Sequence, residues 1–354
     1  MLYGVDLHSS LLIVAQLPEN ASVSQRCKIS RYERSEFKVF FSLLKPGDTV
    51  AVECLTNVWW FIEQVEKCGS RPVVVNNYKF RIICDSAAKT DKKDAEKICR
   101  FLLLDLLPQV WIPPKPIRHA REIVSHLEFL RKHQQAIKNR IRSMLLYRGI
   151  QFNSALLKSA IGKQRLLELV NTVDPNAYMM LMGLIEDCET LATRRDRLEK
   201  TLIKIVHEYM SDEFSNALSI TGVSAYTAAV VLAQIGDITR FDDHKKLISY
   251  FGLNPTIHQS NKMKHVGHIS RQGSHSARSV LSQAALNAIR YTPTLRDSYL
   301  RIKERRGHGR AMVAIMLRLT KRLFYILKRN EPANECKEKL YLTKLKQLEK
   351  LKAA

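Results

Sequence analysis

Four acidic residues are the first groups in this sequence that could do chemistry. Asp91 and Asp94 stand three residues apart in KTDKKDAEKICRFL (89–102), between lysines. At i and i+3 of a helix their carboxylates share one face. Thr90 precedes them as a candidate N-cap. A helix dipole by itself favours acids in a first turn, so the pair gains chemical meaning only from the rest of the chain. Asp6 lies inside the apolar run YGVDLH, between Val5 and Leu7. A carboxylate there is costly unless it faces a ligand or a sheet edge. Glu53 closes a β-branched strand in GDTVAVEC (47–54). Hard divalent cations are held by clusters of oxygen ligands. Phosphodiester chemistry with two ions needs them about 4 Å apart, clamping the attacking and leaving oxygens.

The elements that must position these acids alternate strand and helix over residues 1–110. LYGVDLH and LLIVAQL read as adjacent strands with a tight connection at His8–Ser10, and SQRCKIS as a third. A helix is expected near Glu33–Leu44, a strand at 47–54, a helix at Val58–Cys68 and a strand in RPVVVN (71–76), followed by helical segments at 78–84 and 91–107. This is a mixed α/β layer pattern. The RNase H-like fold supplies such a cluster, with one acid on the first strand, one on the fourth and one or two on a later helix. The competing reading makes Asp6 and Glu53 structural caps. PQVWIPPKPI (108–117) holds four of the eleven prolines and reads as a linker.

Two long helices follow, at about Ile117–Arg148 and Ala177–Met210. The second carries the stripe Leu181, Leu184, Cys188, Leu191, Leu198, Leu202 and Ile205, broken at Arg195. That spacing suits a coiled coil between chains, a helical hairpin, or a helix packed on its own domain. Residues 213–332 form a mostly helical unit. Gly222 stands between two expected helices, either as a turn whose amides approach a phosphate or as a cap between packed helices. FGLNPTIHQSNKMKHVGHISRQGSHSARSVLSQAAL (251–286) reads as an acid-free basic loop leading into a helix, and residues 261–310 carry eleven Lys/Arg against two acids. Such a segment suits a phosphate backbone. Ser260 lies within it; a loop serine is usually a turn former, and spacing alone does not single it out as a nucleophile. Residues 333–354 read as a basic tail that frays.

The charge balance agrees with a polyanionic partner. The 354 residues carry 57 Lys+Arg against 34 Asp+Glu, a net +23. The basic residues spread over whole helices, which favours nucleic acid over a membrane surface. No apolar run reaches a membrane span, and MLYGVDLHSS lacks a signal-peptide pattern. Seven scattered cysteines without a CxxC pair argue against a zinc site or a disulfide framework and suit a reducing cytoplasm.

At these stretches the chain resembles the DEDD transposases of the insertion-sequence 110 family, which are bridge-RNA-guided serine recombinases. The resemblance runs nearly end to end. Asp6, Glu53 in AVECLTNVWW, and Asp91 and Asp94 in KTDKKDA match the family's RuvC-like domain. ITGVSAYTAAVVLAQIGDITRFDDHKKLISYFGLNP, then a serine, then GHISRQGSHSARSVL match its second transposase domain. The resemblance implies a RuvC-like domain at 1–110, a linker and long-helix region at 111–212, and a transposase domain with the serine loop at 213–332. It further implies Mg²⁺ or Mn²⁺ at the four acids and Ser260 as nucleophile, in a composite site whose serine comes from a second subunit. The implied partners are double-stranded donor and target DNA, a guide RNA and further copies of the chain, as a dimer or tetramer at the nucleoid. One departure stands out: the family's paired serines and glycine are replaced by Gln259-Ser260-Asn261-Lys262. The alternatives are a metal-dependent nuclease or Holliday-junction resolvase that uses water, and a non-catalytic RNA-binding scaffold.

Overall fold

The computed structural model divides the chain into two compact units, Met1–Ile112 and Pro113–Ala354. It describes residues 1–83, 91–260, 263–333 and 338–353, with backbone alone at 257–260, 263–266, 338–339 and 350–353.

The first unit runs β1 (Leu2–Leu7), β2 (Leu11–Leu17), β3 (Lys28–Glu33), α1 (Phe37–Leu43), β4 (Thr49–Glu53), α2 (Val58–Lys67), β5 (Arg71–Val75), α3 (Asn77–Ile83), α4 (Asp91–Leu103) and β6 (Gln109–Val110). The sheet order is β3-β2-β1-β4-β5-β6. Strands β1, β4 and β5 are parallel, while β2, β3 and β6 pair antiparallel. This mixed sheet is compatible with an RNase H-like domain. Period-two alternation splits β1 between two cores. Tyr3, Val5 and Leu7 pack with Phe37, Phe40, Phe61, Ile62 and Val65 on one side of the sheet. Leu2 clusters with Ala95 and Cys99 of α4 on the other. Each fully buried aromatic here contributes about 1.5–3 kcal/mol relative to exposure.

Two expectations change. The third strand starts at Lys28, four residues later than SQRCKIS suggests. It is an edge strand paired only with β2 and largely exposed, so no apolar alternation marks it. The proline-rich linker contributes a short edge strand: Gln109 and Val110 pair with Val75 and Val74. Pro108 precedes the strand and its carbonyl accepts from Asn76 N at 2.7 Å, so the prolines border the pairing without interrupting it.

Among the described residues the second unit is helical apart from one hairpin. It comprises α5 (Lys115–Tyr147), α6 (Ala160–Val173), α7 (Pro175–Tyr209), α8 (Ser211–Leu218), α9 (Ala225–Ile235), α10 (His244–Tyr250), β7 (Pro255–Ser260), β8 (Met263–Ile269), α11 (His275–Tyr291), α12 (Pro293–Arg306), α13 (His308–Arg329) and α14 (Glu338–Ala353). Helices α5 and α7 pack on each other within one chain. Gln134 donates to the Cys188 carbonyl at 3.2 Å, while Ile141 and Leu145 cluster with Leu181 and Ala177. Residue numbers rise along one helix as they fall along the other, so the pair is an antiparallel hairpin. The break in the apolar stripe has a packing role: Arg195 donates to Gln134 Oε1 at 2.8 Å and reaches Glu199 at 3.2 Å. The tail does not stand off as a fraying helix. Lys344 Nζ donates to the Leu218 and Ile220 carbonyls at 2.8 and 3.2 Å, and Leu348 is buried.

Candidate functional site

The β1–β4 register runs from Leu2↔Thr49 to Val5↔Val52. The next positions in step are Asp6 and Glu53, at the carboxyl ends of adjacent parallel strands. Both face the side on which Ala51 clusters with Ile98 of α4. Neighbouring strands lie about 4.8 Å apart, and the two acids end adjacent strands, one residue past the last paired positions. Asp6 is buried and Glu53 half-buried.

Helix α4 supplies the other pair, and Gly4 decides how closely. A Cβ on Gly4 would run into the Ala95 carbonyl and the Cys99 amide, and would lie 2.8 Å from Cys99 Cβ. Only a glycine lets the helix backbone rest on the strand here. That approach sets the first turn of α4 beside the end of β1. His8 Nε2 lies 3.1 Å from Asp6 Oδ2 and 3.7 Å from Asp91 Oδ2. Ligand atoms of Asp6, His8 and Asp91 all fall within 4.8 Å of one another. Asp94 Oδ1 lies 3.8 Å from Lys97 Nζ. Burial pushes the Asp6 carboxyl above its ordinary range; His8 opposes this, and the charges of Asp91 and Asp94 add to it. Thus Asp6 and Asp91 are in direct reach of a shared nitrogen, the charge of Asp94 is felt at Asp6, and Glu53 closes the neighbouring strand. Thr90 lies outside the described residues.

Oxygen donors gathered against their own repulsion are what a hard divalent ion requires, and Asp6, His8 and Asp91 together could hold a metal ion. His8 was not among the sequence candidates. The signal was available in Asp6-Leu7-His8, where i and i+2 of an extended chain leave on one face.

The basic stretch in the second unit is more ordered than a loop. Strands β7 and β8 form an antiparallel hairpin with a register shift between Pro255 and Ile257. Ser260 is the last residue of β7 and pairs with Met263. Asn261 and Lys262 lie outside the described residues, as does the Ser260 side chain. The motif residues around the hairpin close its base. Gly252 has φ +68° and Gly273 φ +147°, both backing onto backbone, Gly252 on Gln272 and Gly273 on Tyr250 and Phe251. Ser270 N donates to Asn254 O at 2.7 Å, and Arg278 donates to the Phe251 and Gly273 carbonyls at 2.9 and 3.1 Å. Ser274 caps α11 by accepting from Ala277 N.

Gly222 has a packing role. Its φ is +95°, and a Cβ there would meet the Ala284 carbonyl and lie 2.8 Å from Ala288 N. The α8–α9 turn thus rests on α11. Several cations are also committed to the fold. Arg121 donates to the Ala233 and Gln234 carbonyls at 2.8 Å each, and Arg240 to Ile235 O at 3.0 Å, so both close the C-terminus of α9. Burial lowers the pKa of Arg121. By contrast α12 buries no residue and exposes Arg301, Arg305 and Arg306.

Residues 215–300, which include the serine hairpin, match the family described as Transposase IS116/IS110/IS902 family. A "Probable family 20 transposase" of Pseudomonas aeruginosa is 23% identical over 346 residues, covering 92% of this chain and 93% of that protein. An "Insertion element IS110 uncharacterized 43.6 kDa protein" of Streptomyces coelicolor is 32% identical over 199 residues, 49% of this chain and 47% of the relative. A "Transposase for insertion sequence element IS1111A" of Coxiella burnetii is 30% identical over 125 residues, 34% of each chain. No helix among the described residues is long and apolar enough to cross a membrane.

Proposed function

The chain belongs to the IS116/IS110/IS902 transposase family and is a DNA transposase, and on that premise we propose that it cuts and rejoins DNA through a serine–phosphate ester under the direction of a guide RNA. Asp6, Glu53, Asp91 and Asp94 would hold Mg²⁺ or Mn²⁺ in an RNase H-like, RuvC-like domain. A divalent ion bound there supplies Lewis-acid polarisation of a phosphoryl oxygen. Ser260 Oγ forms a bond to phosphorus as one backbone P–O bond breaks, and the departing DNA hydroxyl takes up a proton. A hydroxyl of the incoming strand then displaces the serine, which regains its own proton. The ester conserves the energy of the broken bond, so rejoining needs no nucleotide cofactor.

In this reading residues 1–110 carry the acids, 111–212 pair subunits into a dimer or tetramer, and 213–332 present the serine. The basic surfaces hold donor DNA, target DNA and RNA in the cytoplasm, at the nucleoid. Sequence choice rests on base pairing with the guide, which leaves few base-reading duties to side chains. The observation that supports the reading most is the gathering of acids from β1, β4 and α4 at one sheet end.

The covalent step is tested with end-labelled DNA, guide RNA and Mg²⁺, resolved on a denaturing gel. A protein–DNA band that Ser260→Ala removes is expected. Free cleaved ends at an undiminished rate in Ser260→Ala would instead establish a water-using nuclease.

A further inference from the structure

We propose that His8 is a direct ligand of the ion held at the carboxyl end of β1, and that it makes this centre favour Mn²⁺ over Mg²⁺. The inference rests on the metal-centre reading above and deepens it.

Three observations carry it. First, His8 stands two residues after Asp6, at the end of the strand, where alternate side chains leave on one face. Second, the backbone of His8 is pinned on both sides. Its amide donates to Leu11 O at 2.9 Å, and its carbonyl accepts from Asn57 Nδ2 at 3.4 Å. Third, one ring nitrogen faces both acids, at 3.1 Å from Asp6 Oδ2 and 3.7 Å from Asp91 Oδ2. The side chain remains 45% exposed, so packing does not account for its position. An imidazole held this way offers one nitrogen donor to whatever the carboxylates gather.

The choice of ion follows from donor chemistry. Mg²⁺ takes oxygen ligands, sheds its waters reluctantly and gains little from a nitrogen. Sites with nitrogen donors bind the first-row divalent ions, Mn²⁺ the most weakly of them, and Mn²⁺ shares with Mg²⁺ its preference for carboxylate and water oxygens. A site of carboxylates plus one imidazole therefore separates Mn²⁺ from Mg²⁺ where an all-oxygen site would not.

The test uses the full chain with Mn²⁺ as the probe and electron paramagnetic resonance as the readout. Free Mn²⁺ is titrated to give affinity, with and without competing Mg²⁺. Spin-echo modulation of the bound ion then reports any directly coordinated nitrogen, and a chain grown with ¹⁵N-histidine assigns that nitrogen to histidine without a substitution. We expect a histidine nitrogen signal in the unsubstituted chain that is absent in His8→Ala. Mn²⁺ affinity should fall at least about tenfold in that variant, the lower end of what even outer-shell partners of a metal carry, while Mg²⁺ affinity changes far less. Mn²⁺ bound in an Asp6-dependent manner without a nitrogen signal overturns the role of His8 and leaves the metal centre standing. Absence of Mn²⁺ and Mg²⁺ binding, or binding that Asp6→Asn leaves untouched, overturns the metal centre and the His8 proposal with it.

Discussion

Asp6 shows what a buried carboxylate beside other acids costs a fold. Its carboxyl is raised above the ordinary value of 3.8, first by burial and then by Asp91 and Asp94. A raised acid pKa means that the folded chain binds more protons than the unfolded chain between the two values. Stability therefore falls as pH rises through that window, and the penalty is fully present only above the raised value. Asp6→Asn removes it. With a chelator present, Asp6→Asn should melt at a higher temperature than the unsubstituted chain at pH 7, and the gain should shrink as pH falls toward and below 3.8. Mg²⁺ or Mn²⁺ should raise the melting temperature of the unsubstituted chain, and the same variant should lose that shift. Thermal unfolding with and without divalent ions measures both. An unchanged ion-induced shift would remove Asp6 from the site.

Among the elements, α4 is the one whose seating matters most for the acids. It reaches β1 through Gly4, where a side chain has no room. Gly4→Ala sets a methyl against the helix backbone at Ala95 and Cys99, and overpacking of this kind costs about 1–3 kcal/mol. Gly4→Ala should lower stability by that amount and weaken Mn²⁺ binding, since α4 carries Asp91 and Asp94 away from β1. Denaturant titration and metal titration of the same preparation test the pair of effects. Lost stability with full metal affinity would mean that the helix seating does not govern the acids. The hairpin β7–β8 follows the same logic. Gly252 and Gly273 adopt positive φ where the chain doubles back at its base, so the GLNP and SRQGS motif residues act as a frame for the strand that ends at Ser260.

At the scale of the whole molecule, the net charge of +23 is not a direct measure of how many phosphates the protein neutralises. Arg121, Arg240 and Arg278 are bonded to backbone carbonyls, and Arg148 is paired with Asp174. Removing Arg121 should destabilise the second unit and leave the salt dependence of nucleic-acid binding unchanged. The exposed row Arg301, Arg305 and Arg306 on α12 should behave the opposite way. Changing all three to alanine should make the line of log affinity against log salt shallower, by about 0.9 for each duplex-DNA phosphate that is no longer neutralised, with little change in melting. Binding isotherms at several salt concentrations decide it. An unaltered slope would take α12 out of the interface.

What the sequence determined by itself was the identity and order of the chemically costly residues. A carboxylate inside YGVDLH, another closing a β-branched strand and a pair in a first helical turn are local conflicts, visible because apolar alternation and helical period are local signals. The same signals located β1, β2, β4 and β5, and both long helices. Tertiary structure alone decided which of these residues meet. The register of β1 and β4 ends Asp6 and Glu53 on neighbouring strands, and the helix resting on Gly4 brings Asp91 near Asp6. Those are pairings between residues far apart in the chain, fixed by which faces can be buried together. His8 entered the cluster for the same reason, since its partner Asp91 is 83 positions away. The hairpin whose first strand ends at Ser260 and the edge strand at Gln109–Val110 escaped the sequence because neither is marked by an apolar alternation. Each exists through hydrogen bonds to a partner strand, and a strand defined by its partner is legible only once the partner is in place.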